Sequence, residues 1–239
     1  MVFITTHLLE KDIRNCDGYT HSYVHRSPDG GATWNTMRIG VEDLADAPTD
    51  KWVVTSRNII RLQDGTVILG VSAPGGHDYL WRSPDGGKTW DKTARSTFHG
   101  VDKAKLWWPF WGEAFLWQTR CGDLVAILRV DPRILPPLPG LDSPDYSSYT
   151  DSVERMVVYR SRDGGHNWYL DEPLGSVYAE MYPALLRLQD RRLLLTFTVR
   201  DLHPPLGVHA VLGIERDDGF TFDFAHDRLI LEAKTPLDK

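Results

Sequence analysis

The chain has 239 residues, of which 41% are hydrophobic, 25% charged and 11% aromatic, enough apolar material for a sizeable core in an ordinary globular protein. A formal net charge of -6 and a pI of about 5.8 argue against a nucleic-acid or anionic-membrane partner, and the sequence has no apolar run long enough to span a bilayer. Cys16 and Cys121 have no metal-like spacing and make no disulfide framework, so they specify neither redox compartment nor cofactor.

The opening residues, Met1 to His7, lack the charged and apolar regions of a secretory signal, which leaves localisation unspecified. Residues 19–39 read as an outer pair of strands joined by Ser27-Pro28-Asp29-Gly30-Gly31-Ala32-Thr33-Trp34. The same pattern returns as Ser83-Pro84-Asp85-Gly86-Gly87-Lys88-Thr89-Trp90 and as Ser161-Arg162-Asp163-Gly164-Gly165-His166-Asn167-Trp168. A fainter copy, Asp217-Asp218-Gly219-Phe220-Thr221-Phe222, has Asp for the first Gly and Phe for Trp. In each copy Asp can accept backbone N–H groups a residue or two on, Gly supplies positive φ, and Ser and Thr hydroxyls close further local bonds. The pattern is a stapled hairpin turn whose aromatic residue leads into the next strand. An Asp-Gly-Gly loop also suggests calcium, but the alternating oxygen ligands and distal Glu of an EF-hand are missing.

Between these turns lies a second repeat: apolar strand, polar turn, apolar strand. It runs through residues 58–69, 114–128 and 184–197. Short strands with regular turn signals and no convincing helix predict an all-β fold of four-stranded blades. The blades fall at 56–98, 112–172 and 182–232. With the pair at 19–39, residues 1–239 make one domain of about three and a half blades. β-Propellers close with roughly four to eight blades. The expectation is therefore a portion of a longer ring, or an open arc whose bare edges favour self-association. Residues 131–151 are too rich in Pro for a strand and are predicted as a long loop.

The Ser-x-Asp-Gly-Gly-x-Thr-Trp repeat resembles the Asp box of the sialidase (neuraminidase) superfamily. The resemblance implies a six-bladed β-propeller with the boxes away from the active face. Strand alternation puts the Asp64-Gly65 turn on the same face as the boxes. The opposite face then gathers His77, Asp78, His99 and Trp111, with Trp107, Trp108, Tyr146, Tyr149, Tyr178 and His203. Aromatic rings with scattered polar groups suit a glycan or small carbohydrate ligand. Packing between blades is the other use for Trp107, Trp108 and Trp111.

Aligning the inner strand pairs makes Ser56, Glu113 and Tyr182 each begin an innermost strand, and Ser72, Arg129 and Thr198 each end its neighbour. Glu113 and Arg129 should then lie side by side at the mouth. By resemblance, Glu113 would polarise a nucleophilic Tyr, and Arg129 would belong to an arginine triad gripping a sialic acid carboxylate. A guanidinium fork matches a carboxylate, and sialidases use Tyr where most retaining glycosidases use a carboxylate. Ser56-Arg57-Asn58-Ile59-Ile60 is similar to the segment carrying the first arginine, Tyr182-Pro183-Ala184-Leu185 to the nucleophile strand, and Asp78 falls where the family places its general acid. Gly207-Val208-His209-Ala210 resembles the segment of the remaining arginine with His209 in its place, for which Arg200 could substitute. The expected activity is exo-sialidase cleavage of terminal sialic acid from glycoconjugates, with no cofactor or metal. The alternative is a non-catalytic propeller that binds glycan or protein on the same face. An enzyme needs the Tyr182 hydroxyl within reach of Glu113 and at least two guanidinium groups aimed at one spot.

Overall fold

The computed structural model describes residues 1–9, 19–101, 109–130, 154–174, 180–200, 204–217 and 219–233. They form four sheets arranged as a four-bladed β-propeller. The first sheet holds β1 (Val2–Leu9), β2 (Tyr19–Ser27) and β3 (Asn35–Ile39) in that order. The second holds β4 (Val54–Thr55), β5 (Ile60–Arg61), β6 (Val67–Ala73) and β7 (His77–Ser83), with β4 and β5 both pairing with β6. In the third, β9 (Phe115–Gln118), β10 (Leu124–Val130), β11 (Arg155–Ser161) and β12 (Asn167–Pro173) are antiparallel, and β8 (Thr97–Phe98) runs parallel to β12. The fourth contains β13 (Glu180–Arg187), β14 (Leu193–Val199), β15 (Gly207–Arg216), β16 (Gly219–Phe222) and β17 (Arg228–Glu232). The first sheet therefore has one strand more than the pair expected at 19–39. The expected loop at 131–151 lies outside the described residues.

Period-two alternation explains how the sheets stack. Ile68 of β6 packs with Leu80, Leu116 and Leu124 towards the third sheet, while Leu69 and Val71 pack with Val24 and Ile39 of the first. In β14, Leu193, Leu195, Phe197 and Val199 are buried against Val125, Ile127 and Val158 of the third sheet. Three hydrophobic cores thus lie between successive sheets. Residues 67–71 of β6 and 156–159 of β11 are buried on both sides because each strand faces two of them.

The repeated turns are stapled as expected, with one change of detail. Asp29 Oδ1 accepts from the Ser27 hydroxyl at 2.8 Å and the Thr33 N–H at 2.9 Å, and Oδ2 from the Thr33 hydroxyl at 2.7 Å. Asp85 and Asp163 repeat this set with Thr89 and Asn167. The backbone donors lie three and four residues on, not one or two, because the paired glycines take positive φ and fold the chain back over the carboxylate. Hydrogen bonds from Thr33 and then Ser27 hold the Asp29 carboxyl at about 2. The copy at 217–222 is not such a turn. Arg216 pairs directly with Gly219, so the glycine already belongs to the ladder.

Trp34 and Trp168 occupy the same place in two turns and make the same Nε1–H bond to a glycine carbonyl. Their surroundings differ. Trp34 is 41% exposed, whereas Trp168 is fully buried beside Phe98 and Trp111. Trp168→Ala should therefore cost about 3–5 kcal/mol in urea unfolding, and Trp34→Ala about 1 kcal/mol or less. Equal losses would place the energy in the turn itself rather than in packing between sheets.

Candidate functional site

Register decides where the candidate residues stand. In the third sheet Phe115 pairs with Ile127, and Leu124 pairs with Gln118 on one side and Ser161 on the other. Extending the β9–β10 ladder sets Glu113 opposite Arg129. Arg129 is five residues along β10 from the Ser161 turn, about 17 Å at strand spacing. The pair therefore occupies the end of the sheet away from the stapled turn. Arg129 Nε lies 2.6 Å from Glu113 Oε2 and also contacts the Glu154 carboxylate, and all three side chains are largely buried.

Arg57 stands in a break of the inner strand of the second sheet, between β4 and β5. The Ser56 N–H still reaches the Gly70 carbonyl at 2.8 Å, but the Arg57 N–H turns to the third sheet and donates to the Ala114 carbonyl at 2.9 Å. Asn58 completes the clasp. Its Nδ2 donates to the Leu116 carbonyl at 2.8 Å, and its Oδ1 accepts the Leu116 N–H at 2.7 Å. The side chain of Asn58 thus replaces a backbone partner and frees Arg57 to project.

Tyr182 stands in a comparable irregularity of β13. Met181 pairs with Thr198 and Ala184 with Thr196, so Tyr182 and Pro183 together oppose Phe197, which is a bulge. Tyr182 has φ 56, a left-handed conformation uncommon outside Gly. Arg200 follows the end of the neighbouring strand β14.

Three guanidinium groups surround the Tyr182 ring, with Arg57, Arg200 and Arg129 at 4.4, 5.7 and 6.0 Å from its centroid. Arg200 Nη1 donates to the Tyr182 hydroxyl at 3.3 Å. It also lies 3.2 Å from Met181 Sδ, the atom that Arg129 Nη1 approaches to 3.7 Å. Beside them opens a cavity of about 360 Å³ lined by Thr5, His7, Val54, Arg57, Glu113 and Tyr182, with the Gly112 backbone. Every sheet contributes to it. Among the described residues no group of three or more His, Cys, Asp and Glu could hold a metal ion.

Other expected residues lie elsewhere. Trp111 is fully buried, not at the mouth. It sits in a 3-10 helix, Phe110–Glu113, and its indole covers the backbone of Gly70, where any Cβ would collide with it. Asp78 is 1% exposed and paired with Ser72 inside β7, which begins at His77, two residues before the strand expected from Tyr79; it does not line the cavity. His209 is enclosed by Asp227 and the Pro205 carbonyl, at 2.6 and 2.8 Å, and serves the fourth sheet. His99 bonds Asn167 of a stapled turn at 2.8 Å and stacks on Tyr169, on the far side from the cavity. His77 faces Asp46. Trp107, Trp108, Tyr146, Tyr149, Tyr178 and His203 lie outside the described residues.

His7 was not singled out by any motif. Its only sequence signal is alternation with Thr5 in an apolar-polar strand. In the structure its Nδ1 lies 2.8 Å from the buried Ser22 hydroxyl, which donates to the Val53 carbonyl at 3.1 Å. Burial, and secondarily the Arg57 charge, lower its pKa from the usual 6.5 to about 4.

No protein-family model matches the chain, and no curated protein matches its sequence. Solved structures match its fold. A protein of unknown function from Dyadobacter fermentans aligns with 88% of this chain and 51% of its own, at 23% identity and a TM-score of 0.55. The intramolecular trans-sialidase of Ruminococcus gnavus, in complex with oseltamivir carboxylate, aligns at 15% identity and 0.57, over 92% of this chain and 42% of its own. The α-L-arabinanase of Penicillium chrysogenum, complexed with arabinobiose, gives 16% and 0.53, over 85% and 58%. The chain thus spans about half the length of the structures it matches. At these identities the likeness is one of fold, the β-propeller on which these glycosidases are built.

An unfolded His7 gains its proton as pH drops through about 6.5, but the folded one only near 4. Native stability should therefore fall as pH is lowered across that window. His7→Gln should remove part of the fall in thermal denaturation between pH 7 and 4.5. An unchanged pH profile would show that the imidazole titrates alike in both states.

Proposed function

We propose that the cavity binds a terminal sugar bearing a carboxylate, of the sialic acid type, and hydrolyses its glycosidic bond with retention. The observation that carries this reading is the convergence of Arg57, Arg129 and Arg200 on one tyrosine. Like charges are not gathered without a use, and a fork of N–H donors matches a carboxylate. The oseltamivir carboxylate held by the R. gnavus trans-sialidase bears the same group.

In the proposed reaction the Tyr182 oxygen attacks the anomeric carbon while Glu113 takes its proton, and the glycosidic C–O bond breaks, its oxygen leaving with the aglycone and taking a proton from water. The Arg200 bond to the hydroxyl stabilises negative charge developing there. Water then releases the sugar from Tyr182. The stapled turns, similar to Asp boxes, act only as architecture. Asp78, enclosed in β7, is not retained as proton donor.

One observation favours binding without hydrolysis: Glu113 is the only carboxylate lining the cavity among the described residues. A fluorogenic aryl sialoside separates the two, because a phenolate leaves without a proton donor. Glu113→Gln and Tyr182→Phe should each lower its turnover about 10²- to 10⁴-fold, and Arg129→Ala should weaken binding. Turnover that survives both of the first two substitutions would sink the assigned roles. Binding without any wild-type turnover would establish the second reading.

A further inference from the structure

We propose that the stapled turn at 83–90 and the outer strands of the first sheet form a second binding site, for a pyranose ring that carries a carboxylate. This site shares no lining residue with the central cavity and does not depend on how that cavity is read.

Its walls follow from register. Val24 pairs with Met37 and Arg26 with Asn35, and the period of two puts all four on the face of the β2–β3 ladder that is turned to the second sheet. Across the gap stands the turn at 83–90, which Arg26 grips through an Nε–H bond to the Gly86 carbonyl at 2.6 Å. A cavity of about 430 Å³ opens between them, with Lys88 and Trp90 on the turn side. Its size is that of a small-molecule site.

The next gap, between the second and third sheets, is closed. There Arg82 grips the third sheet's turn in the same way, at the Gly164 carbonyl. Phe98 then lies on Trp168, ring centroids 5.7 Å apart and planes within 15°, and Trp168 is buried with its Nε1–H given to the Gly165 carbonyl. Trp90 is the corresponding ring, yet it is only partly buried. Among the described residues no ring stacks on it, and its Nε1–H makes no bond like those of Trp34 and Trp168. Phe98 therefore marks, within the same chain, the kind of ring that the open gap would take.

The remaining groups specify that ring further. A pyranose has a flat apolar face for an indole and edge hydroxyls for an amide, and Asn35 both donates and accepts. Arg26 and Lys88 line the cavity, no carboxylate does, and neither makes an ion pair among the described residues. The Asp85 carboxylate is taken up by its own turn, with Ser83, Thr89 and the Lys88 N–H. The negative charge thus falls to the ligand, whose carboxylate meets a guanidinium and an ammonium. Cations alone would suit any anion, and an indole alone any sugar; together they select an acidic one.

The test titrates the whole chain with methyl β-D-glucuronide, methyl β-D-glucoside and benzoate, following calorimetric affinity and the indole N–H resonances. Wild type should bind the glucuronide roughly tenfold more tightly than either other ligand, with the Trp90 resonance shifting. Trp90→Ala should abolish this binding. Lys88→Ala, at an exposed position, should weaken the glucuronide roughly tenfold and leave the glucoside unchanged. Should Trp90→Ala fail to fold, judged by thermal melting, Lys88→Ala decides. Glucuronide affinity that survives Lys88→Ala but is lost in Arg57→Ala would move the acidic sugar to the central cavity and overturn the second site. Benzoate bound as tightly as the glucuronide would overturn the sugar, and no glucuronide binding would overturn the site; neither result touches the reading of the central cavity.

Discussion

A guanidinium taken out of water must be neutralised where it lies, and the centre of this propeller is arranged around one. Arg129 lies between Glu113 and Glu154 with little solvent on any of the three. Breaking such a buried cluster by removing one member costs about 3–5 kcal/mol. Their mutual positions are therefore fixed whether or not the cavity is filled. The constraint spreads outward. Glu113 closes the 3-10 helix whose Trp111 lies on the bare backbone of Gly70, which ties the ion pair to the second sheet. Arg129 Nη1 reaches Met181 of the fourth sheet at 3.7 Å. One buried cluster thus sets the spacing of three sheets around the cavity.

The residues that face the cavity stand where the inner strands are irregular. A regular ladder holds every backbone group against its neighbour and aims side chains alternately into the cores between sheets. Arg57 escapes that pattern because its N–H is satisfied across the sheet boundary and Asn58 replaces a strand partner with its amide. Tyr182 escapes through a bulge in which Pro183 has no N–H to lose. Its left-handed φ costs on the order of 1–3 kcal/mol. Buried Met181 and Leu185 on either side anchor the strand that carries the strain.

Much of this was legible in the sequence, and the reasons are local. The turns were readable because Ser, Asp, Gly-Gly and Thr satisfy one another within eight residues. The Glu113–Arg129 pairing was readable because antiparallel register is arithmetic once both strands and their turn are known. What failed depended on distant partners. Trp111 looked like a ligand platform because nothing nearby in sequence announces that Gly70 has left room for its ring. Asp78 looked like a loop carboxylate because β7 starts at His77, two residues sooner than its apolar run from Tyr79 suggests. His7 and Asn58 went unnoticed because their roles come from Ser22, Val53 and Leu116, residues remote in the chain. A single strand such as β1 has no repeat to advertise it.

On the proposed reading, charge explains selectivity better than shape does. A neutral sugar could fit a cavity of about 360 Å³, but it would offer no pair of charged acceptors to the guanidinium groups around Tyr182. It would also displace water that solvates that charge, without replacing it. A carboxylated sugar replaces the lost hydration with two planar acceptors. Discrimination arises from the penalty on the wrong ligand as much as from attraction for the right one.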